Sequence, residues 1–223
     1  MQPMHTLIIG GSSGLGLILA ERLLAEGHQV TVTGRTKPKD TKATFKKVEL
    51  HVPDLPTAME ELVAGLPEVD VLIYAAGFFQ SGRLTDLSAD QIEQMLDVGC
   101  RGLIYSVRAV LAKQEKLGEL ITITSTSGWT PRQYEPAYNF VKSGATLFTS
   151  AMAEDGRIAK VMTAGPAGMD TPFWRDEPGR DKTSLLDPNW AAEQIMHYRT
   201  QNYRYKYIRI MRDPPRVEET EER

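Results

Sequence analysis

The sequence predicts an α/β fold: a doubly wound parallel sheet of about seven strands with helices on both faces. Three observations predict it. Short apolar, β-branched runs alternate with amphipathic helical stretches from the first residues onward. A cluster of glycines separates the first run from the first helix. No fixed-period repeat or domain linker interrupts the alternation.

Each element has a local cause. Leu7–Ile9 reads as a strand buried on both faces. A helix follows over Leu15–Glu26, with Leu15, Leu19 and Leu23 on one face and Gly27 as its stop. Val30–Thr33 is a β-rich second strand, and the alternation in Val48–Val52 predicts a third. Thr57 is expected to cap a helix through Val63, with Glu60 completing a capping box. Val69–Tyr74 is a fourth strand. Ser88 caps a helix that starts at Ala89 and runs, with a bend, toward Lys113. Leu120–Thr124 is a fifth strand, Ala137–Glu154 a helix and Ile158–Thr163 a sixth strand. Asp187 and Pro188 open a helix through His197, and Tyr205–Met211 is the last strand. These elements make one domain over residues 1–213. The polar, acidic residues 214–223 are expected to form a flexible tail.

Composition narrows the function. The chain has 223 residues, with 26 Lys and Arg against 29 Asp and Glu, so it lacks the basic excess of a nucleic-acid-binding protein. Its single cysteine, Cys100, excludes an internal disulfide and a cysteine-based metal site. The four histidines, His5, His28, His51 and His197, are scattered, and no metal site is expected. No apolar run approaches the roughly 18 residues of a membrane span, and no secretory leader is evident. No membrane partner and a cytoplasmic location are therefore the expectation.

Gly10, Gly14 and Gly16 lie between a strand and a helix. A turn there needs torsions that glycine tolerates and lets the backbone approach a pyrophosphate, which the helix N-terminus then attracts. The spacing is G-xxx-G-x-G, and the setting makes the fold Rossmann-like. About 20 residues on, an NAD site carries an acidic residue that holds the ribose hydroxyls. This chain has Gly34 there, then Arg35, Thr36 and Lys37. A guanidinium can fork onto a 2′-phosphate, so NADP(H) is the expected cofactor.

Tyr138 and Lys142 stand four apart on one face of a helix. A phenol ordinarily titrates near 10, and a neighbouring ammonium lowers that value by stabilising the phenolate. Such a pair can pass a proton to or from a carbonyl oxygen. Ser125 follows the fifth strand at the carboxyl edge of the sheet, where open α/β sheets bind ligands.

Taken together, these residues resemble the short-chain dehydrogenase/reductase family over nearly the whole chain. The carrying motifs are Gly10-Gly11-Ser12-Ser13-Gly14-Leu15-Gly16, Asp54-Leu55, Ala75-Ala76-Gly77, Ser125 with Tyr138 and Lys142, and Pro166-Ala167-Gly168-Met169-Asp170-Thr171. The resemblance implies an oxidoreductase that moves a hydride between nicotinamide and a small carbonyl or alcohol substrate. It implies Tyr138 as the acid-base residue, Lys142 on the nicotinamide ribose and Ser125 on the substrate. It also implies Asp54 on the adenine amine, Ala75, Ala76 and Gly77 along the adenine-ribose side, and Met169 and Thr171 on the nicotinamide amide and phosphates. Pro166 and Ala167 stand at the family's cofactor-contacting Pro-Gly. A homodimer or homotetramer is implied through the helices that carry Tyr105 and Phe148.

Three positions depart from the family pattern. The relay asparagine maps to Gly99, the Asn-Asn-Ala-Gly run becomes Tyr74-Ala75-Ala76-Gly77, and the Pro-Gly after the sixth strand becomes Pro166-Ala167. Gly99 motivates a second reading, a catalytically weak dinucleotide-binding redox sensor or regulatory protein. Phe78, Phe79, Trp129, Tyr134, Phe173, Trp174 and Arg175 are candidates for an aromatic, partly basic substrate pocket.

Overall fold

The computed structural model describes residues 3–174 and 184–223. Eight strands form one sheet in the order β3-β2-β1-β4-β5-β6-β7-β8. They are β1 His5–Ile9, β2 Gln29–Gly34, β3 Thr44–Lys47, β4 Val71–Tyr74, β5 Leu117–Ile123, β6 Ile158–Pro166, β7 Tyr205–Arg212 and β8 Pro215–Glu222. The first seven run parallel, and β8 returns antiparallel along β7. The strand order reverses between β1 and β4, which opens a crevice at the carboxyl edge.

Alternation along each strand divides the core. Leu7 and Ile9 face α2 (Leu55–Ala64), α4 (Gly102–Lys113) and α5 (Pro136–Met152), packing with Met59, Leu103 and Ala145. Ile8 faces α1 (Gly14–Ala25) and α6 (Pro188–Arg199), packing with Leu19 and Ile195. The central strands are apolar on both sides because both sides are covered. α3 (Ala89–Leu96) starts from the expected Ser88 cap, with the reciprocal bonds to Gln91 in place. The expected bend is a π-helical turn over Asp97–Arg101, between α3 and α4.

Three expectations are corrected. The third strand is Thr44–Lys47, not Val48–Val52. It is a sheet edge, where exposed Lys46 and Lys47 replace the alternation of a half-buried strand. The second helix starts at Leu55, and its cap is Asp54, whose carboxylate accepts from the Thr57 N–H, so Thr57 lies inside the helix. Residues 215–222 are not a loose tail. They pair with β7, and two of their carboxylates, Glu219 at 2.8 Å and Glu222 at 2.7 Å, neutralise the buried ammonium of Lys206. A buried charge requires such partners. Acidic composition, which alone suggests disorder, here supplies the counter-ions.

Candidate active site

One cavity of about 810 Å³ runs along the carboxyl edge of the sheet from β2 to the β7–β8 turn. Its left end is the glycine turn. Gly10 and Gly14 have φ of +82° and +53°, torsions that side chains rarely adopt. A Cβ at Gly10 would stand 2.5 Å from the Ala76 backbone nitrogen. The cradle therefore closes only with bare backbone at this position. α1 begins at Gly14 with no acidic residue in its first turn, so its free N–H groups meet no competing negative charge. Ser12, Ser13, Leu15 and Gly16 line the same end, and Thr171 leans over Gly14 from the loop after β6.

Arg35, Thr36 and Lys37 line the cavity just beyond β2. A Cβ on Gly34 would run into the Ser12 hydroxyl. Ser12 thus occupies the space that an acidic side chain at position 34 would need. A bare-backbone cradle with cations at this end fits a phosphate-rich dinucleotide.

Ala75, Ala76, Gly77, Pro166, Ala167 and Met169 also line the cavity. Asp54 and Leu55 do not. Asp54 caps α2, and Leu55 is fully buried in the core. The acidic-apolar pair that borders the cavity is Glu49-Leu50, with Val48 beside it. It stands one residue, Val48, past the true end of β3, so misplacing that strand hides it in the sequence.

The chemical end is built on β5 and α5. β5 ends at Ile123, and Ser125 caps the short turn Thr126–Gly128, its hydroxyl accepting from the Ser127 N–H at 3.1 Å. Pro136 starts α5, which presents Tyr138 and, one turn on, Lys142. Both are buried and both line the cavity with Ser125. The Lys142 ammonium donates to the Ile123 carbonyl at 3.2 Å and lies 5.6 Å from the centre of the Tyr138 ring. Burial holds its pKa down at about 8, against an ordinary 10.5. Tyr138 packs edge-on against Phe79 at 4.9 Å, and Phe79 packs on Trp174 at 5.3 Å. Phe173 lies against Gly77. Phe78, Phe79, Phe173 and Trp174 therefore wall the cavity, whereas Trp129 stacks on Arg209 away from it. Tyr134 is half exposed, and Arg175 lies outside the described residues.

The π-helical turn beside α5 accounts for two of the sequence departures. Tyr74, at the end of β4, donates its hydroxyl to the Val98 carbonyl in that turn. A Cβ on Gly99 would collide with the Val141 side chain, which sits between Tyr138 and Lys142 on α5. The space of a side chain at position 99 is thus taken by Val141. The turn is held from outside by Asp97, which accepts from Arg101 and pairs with His51 Nδ1 at 2.8 Å. His51 Nε2 lies 3.3 Å from Asp90. Hydrogen bonds to Asp97 and Asp90 raise the His51 pKa.

The short chain dehydrogenase family matches residues 4–181. The chain belongs to the short-chain dehydrogenase/reductase family. It is an oxidoreductase of that family. Its sequence is 28% identical over 209 residues to an uncharacterized oxidoreductase of Staphylococcus aureus (strain MW2), spanning 87% of this chain and 90% of the relative. It is 26% identical over 216 residues to an uncharacterized oxidoreductase of Staphylococcus saprophyticus, spanning 88% and 91%. The fold is similar to a short-chain dehydrogenase from Sphingobium yanoikuyae in complex with NADPH (TM-score 0.79, 21% identity, 92% and 87% covered). It is also similar to the closed form of a serine dehydrogenase complexed with NADP+ (TM-score 0.78, 22% identity, 92% and 94% covered). Among the described residues, no helix is long and apolar enough to cross a membrane.

Proposed function

We propose that this short-chain dehydrogenase is an NADP(H)-dependent reductase or dehydrogenase acting on a carbonyl/alcohol pair. The observation that carries the reading is the convergence on one cavity of a bare-backbone phosphate cradle, the cations Arg35 and Lys37, and Ser125 with Tyr138 and Lys142. NADP-bound structural relatives support the same choice. When bound, the reduced nicotinamide supplies the hydride. Ser125 holds the substrate oxygen, and Tyr138 donates its phenolic proton to that oxygen, or withdraws it in the reverse direction. Lys142 binds the adjoining ribose and favours the phenolate by its charge. Phe79 and Trp174 exclude water from Tyr138, which strengthens these electrostatic effects.

Binding is tested by parallel titration with NADPH and NADH, followed by tryptophan fluorescence. Tight NADPH binding with much weaker NADH binding supports the reading. Binding of neither removes its basis. Catalysis is tested by Tyr138→Phe, which is expected to lower turnover at least ~100-fold, the scale of a lost acid-base group, while NADPH still binds.

The packing of Val141 into the space at Gly99 favours a second reading, a dinucleotide-binding sensor with weak turnover. A sensor keeps its partner binding in Tyr138→Phe and shows little activity beforehand. Self-association belongs to the same proposal. Ile104 on α4 and Phe140 and Leu147 on α5 expose apolar side chains on the helices expected to pair. Sedimentation of the wild type and of Phe140→Ser with Leu147→Ser tests it, and loss of the dimer or tetramer is the expected result.

A further inference from the structure

The cavity does not end at Tyr138. Its far wall is the β7–β8 hairpin, with Arg212, Asp213 and Arg216, and Arg132 and Glu135 from the loop into α5 line the same cavity. That end carries a cluster of three guanidiniums, with the carboxylates of Asp213 and Glu135 beside them. The dinucleotide phosphates do not account for it. The glycine turn follows β1, and β7 lies four strand positions away in the sheet. At about 4.8 Å per position that is roughly 19 Å. Arg35, at the end of β2, is a further position off.

The register singles out one of the three cations. Arg216 lies directly opposite Met211 in the ladder, so the two share a face. Met211, Arg209 and Tyr207 alternate onto one face of β7, and Tyr207 packs in the α5-side core. Arg216 therefore stands on the Tyr138 face of the sheet. Ile210 and Ile208 alternate to the α6 side, and Arg212 follows them. Arg132 is held by the Ser127 and Thr126 hydroxyls at 2.7 and 2.8 Å and is neutralised by Glu135 at 3.2 Å. Arg216 pairs with Glu218 through Nε and Nη2, and its Nη1 donates to the Asp213 and Pro214 carbonyls; Arg216 and Glu218 are both partly exposed, and Glu218 does not line the cavity. An exposed pair of that kind is weak and exchanges readily for another anion.

We propose that the substrate carries a carboxylate, bound by Arg216 beyond the reacting carbonyl, with its apolar body against the wall of Phe79, Phe173 and Trp174. This rests on the reading of the same cavity as a carbonyl-reducing site. A planar carboxylate matches the fork of a guanidinium. The class is thus an oxo acid or the corresponding hydroxy acid.

The test uses the full chain loaded with NADP+, and phenylpyruvate against its methyl ester, with affinity read from tryptophan quenching. The wild type is expected to prefer the acid by about 10- to 100-fold, the scale of one charge-assisted hydrogen bond. Arg216→Gln is expected to bring that preference down toward one, and Arg216→Lys to restore part of it. NADPH binding by each variant checks that it is folded. Equal affinity of the wild type for acid and ester, no binding of the acid, or a preference that survives Arg216→Gln in a folded variant would each overturn the inference. Acid preference that depends on Arg216, without reduction of the acid by NADPH, would instead sink the catalytic reading and leave the carboxylate site standing.

Discussion

Gly99 and Val141 form a steric pair whose coupling can be worked out from the structure. A Cβ on Gly99 falls well inside the 3.0 Å that real Cβ atoms keep, and the atom it meets is Val141 Cγ1. Val141 is buried on α5 and cannot swing aside as a long flexible chain would. Gly99→Ala gains about 1 kcal/mol of helix propensity and meets about 1–3 kcal/mol of overpacking. Val141→Ala removes two buried carbons, at roughly 0.8 kcal/mol each, plus a cavity term, for a loss of about 2–3 kcal/mol. In the double variant the overlap disappears and the new methyl fills part of the cavity. Its loss of stability is therefore expected to fall short of the sum of the single losses by about 1–3 kcal/mol. Urea unfolding of the four proteins, followed by circular dichroism, measures this. Additivity within about 0.5 kcal/mol would refute the steric pairing. The same geometry bears on the relay position. Gly99→Asn alone imports the collision, so its activity reports strain. Gly99→Asn with Val141→Ala is the variant whose pH-rate profile tests whether a side chain there carries protons.

The other predictions concern cofactor choice and pH. Gly34→Asp is expected to weaken NADPH binding by about tenfold or more without gaining NADH, because Ser12 fills the space; Ser12→Gly in the same chain is expected to let NADH bind. Titration of both variants with both dinucleotides checks this, and NADH binding by Gly34→Asp alone would contradict it. His51 has a raised pKa, so its bonds to Asp97 and Asp90 contribute their full stability below pH 6.5, and that contribution is lost as pH rises through the raised value. His51→Gln should therefore lower the melting temperature more at pH 5.5 than at pH 9. An equal drop at both would assign the effect to packing. Lys142, with its pKa held at about 8, binds fewer protons folded than unfolded between about pH 8 and its ordinary 10.5. Lys142→Met should therefore remove a rise in stability over that window. Denaturation midpoints across it provide the check.

Much of this protein is legible in its sequence because the signals are local. Leu7–Ile9, the glycines after it and the leucines of α1 lie within one short stretch, and a turn that admits only bare backbone writes its need directly as Gly10 and Gly14. Tyr138 and Lys142 share a helix face by spacing alone. The edge strand β3 is less legible, because exposed lysines displace the alternation, and with its end misplaced Asp54 is taken for a cavity residue when Glu49 is the one that borders it. What only the tertiary structure decided are the relations between residues far apart in the chain. Val141 fills the space at Gly99, Ser12 that at Gly34, and Glu219 and Glu222 neutralise a lysine buried on the neighbouring strand. Local patterns record torsions and periods. Volume exclusion and charge pairing across long stretches of chain leave no local mark, because either partner alone is an ordinary residue until the fold sets it against the other.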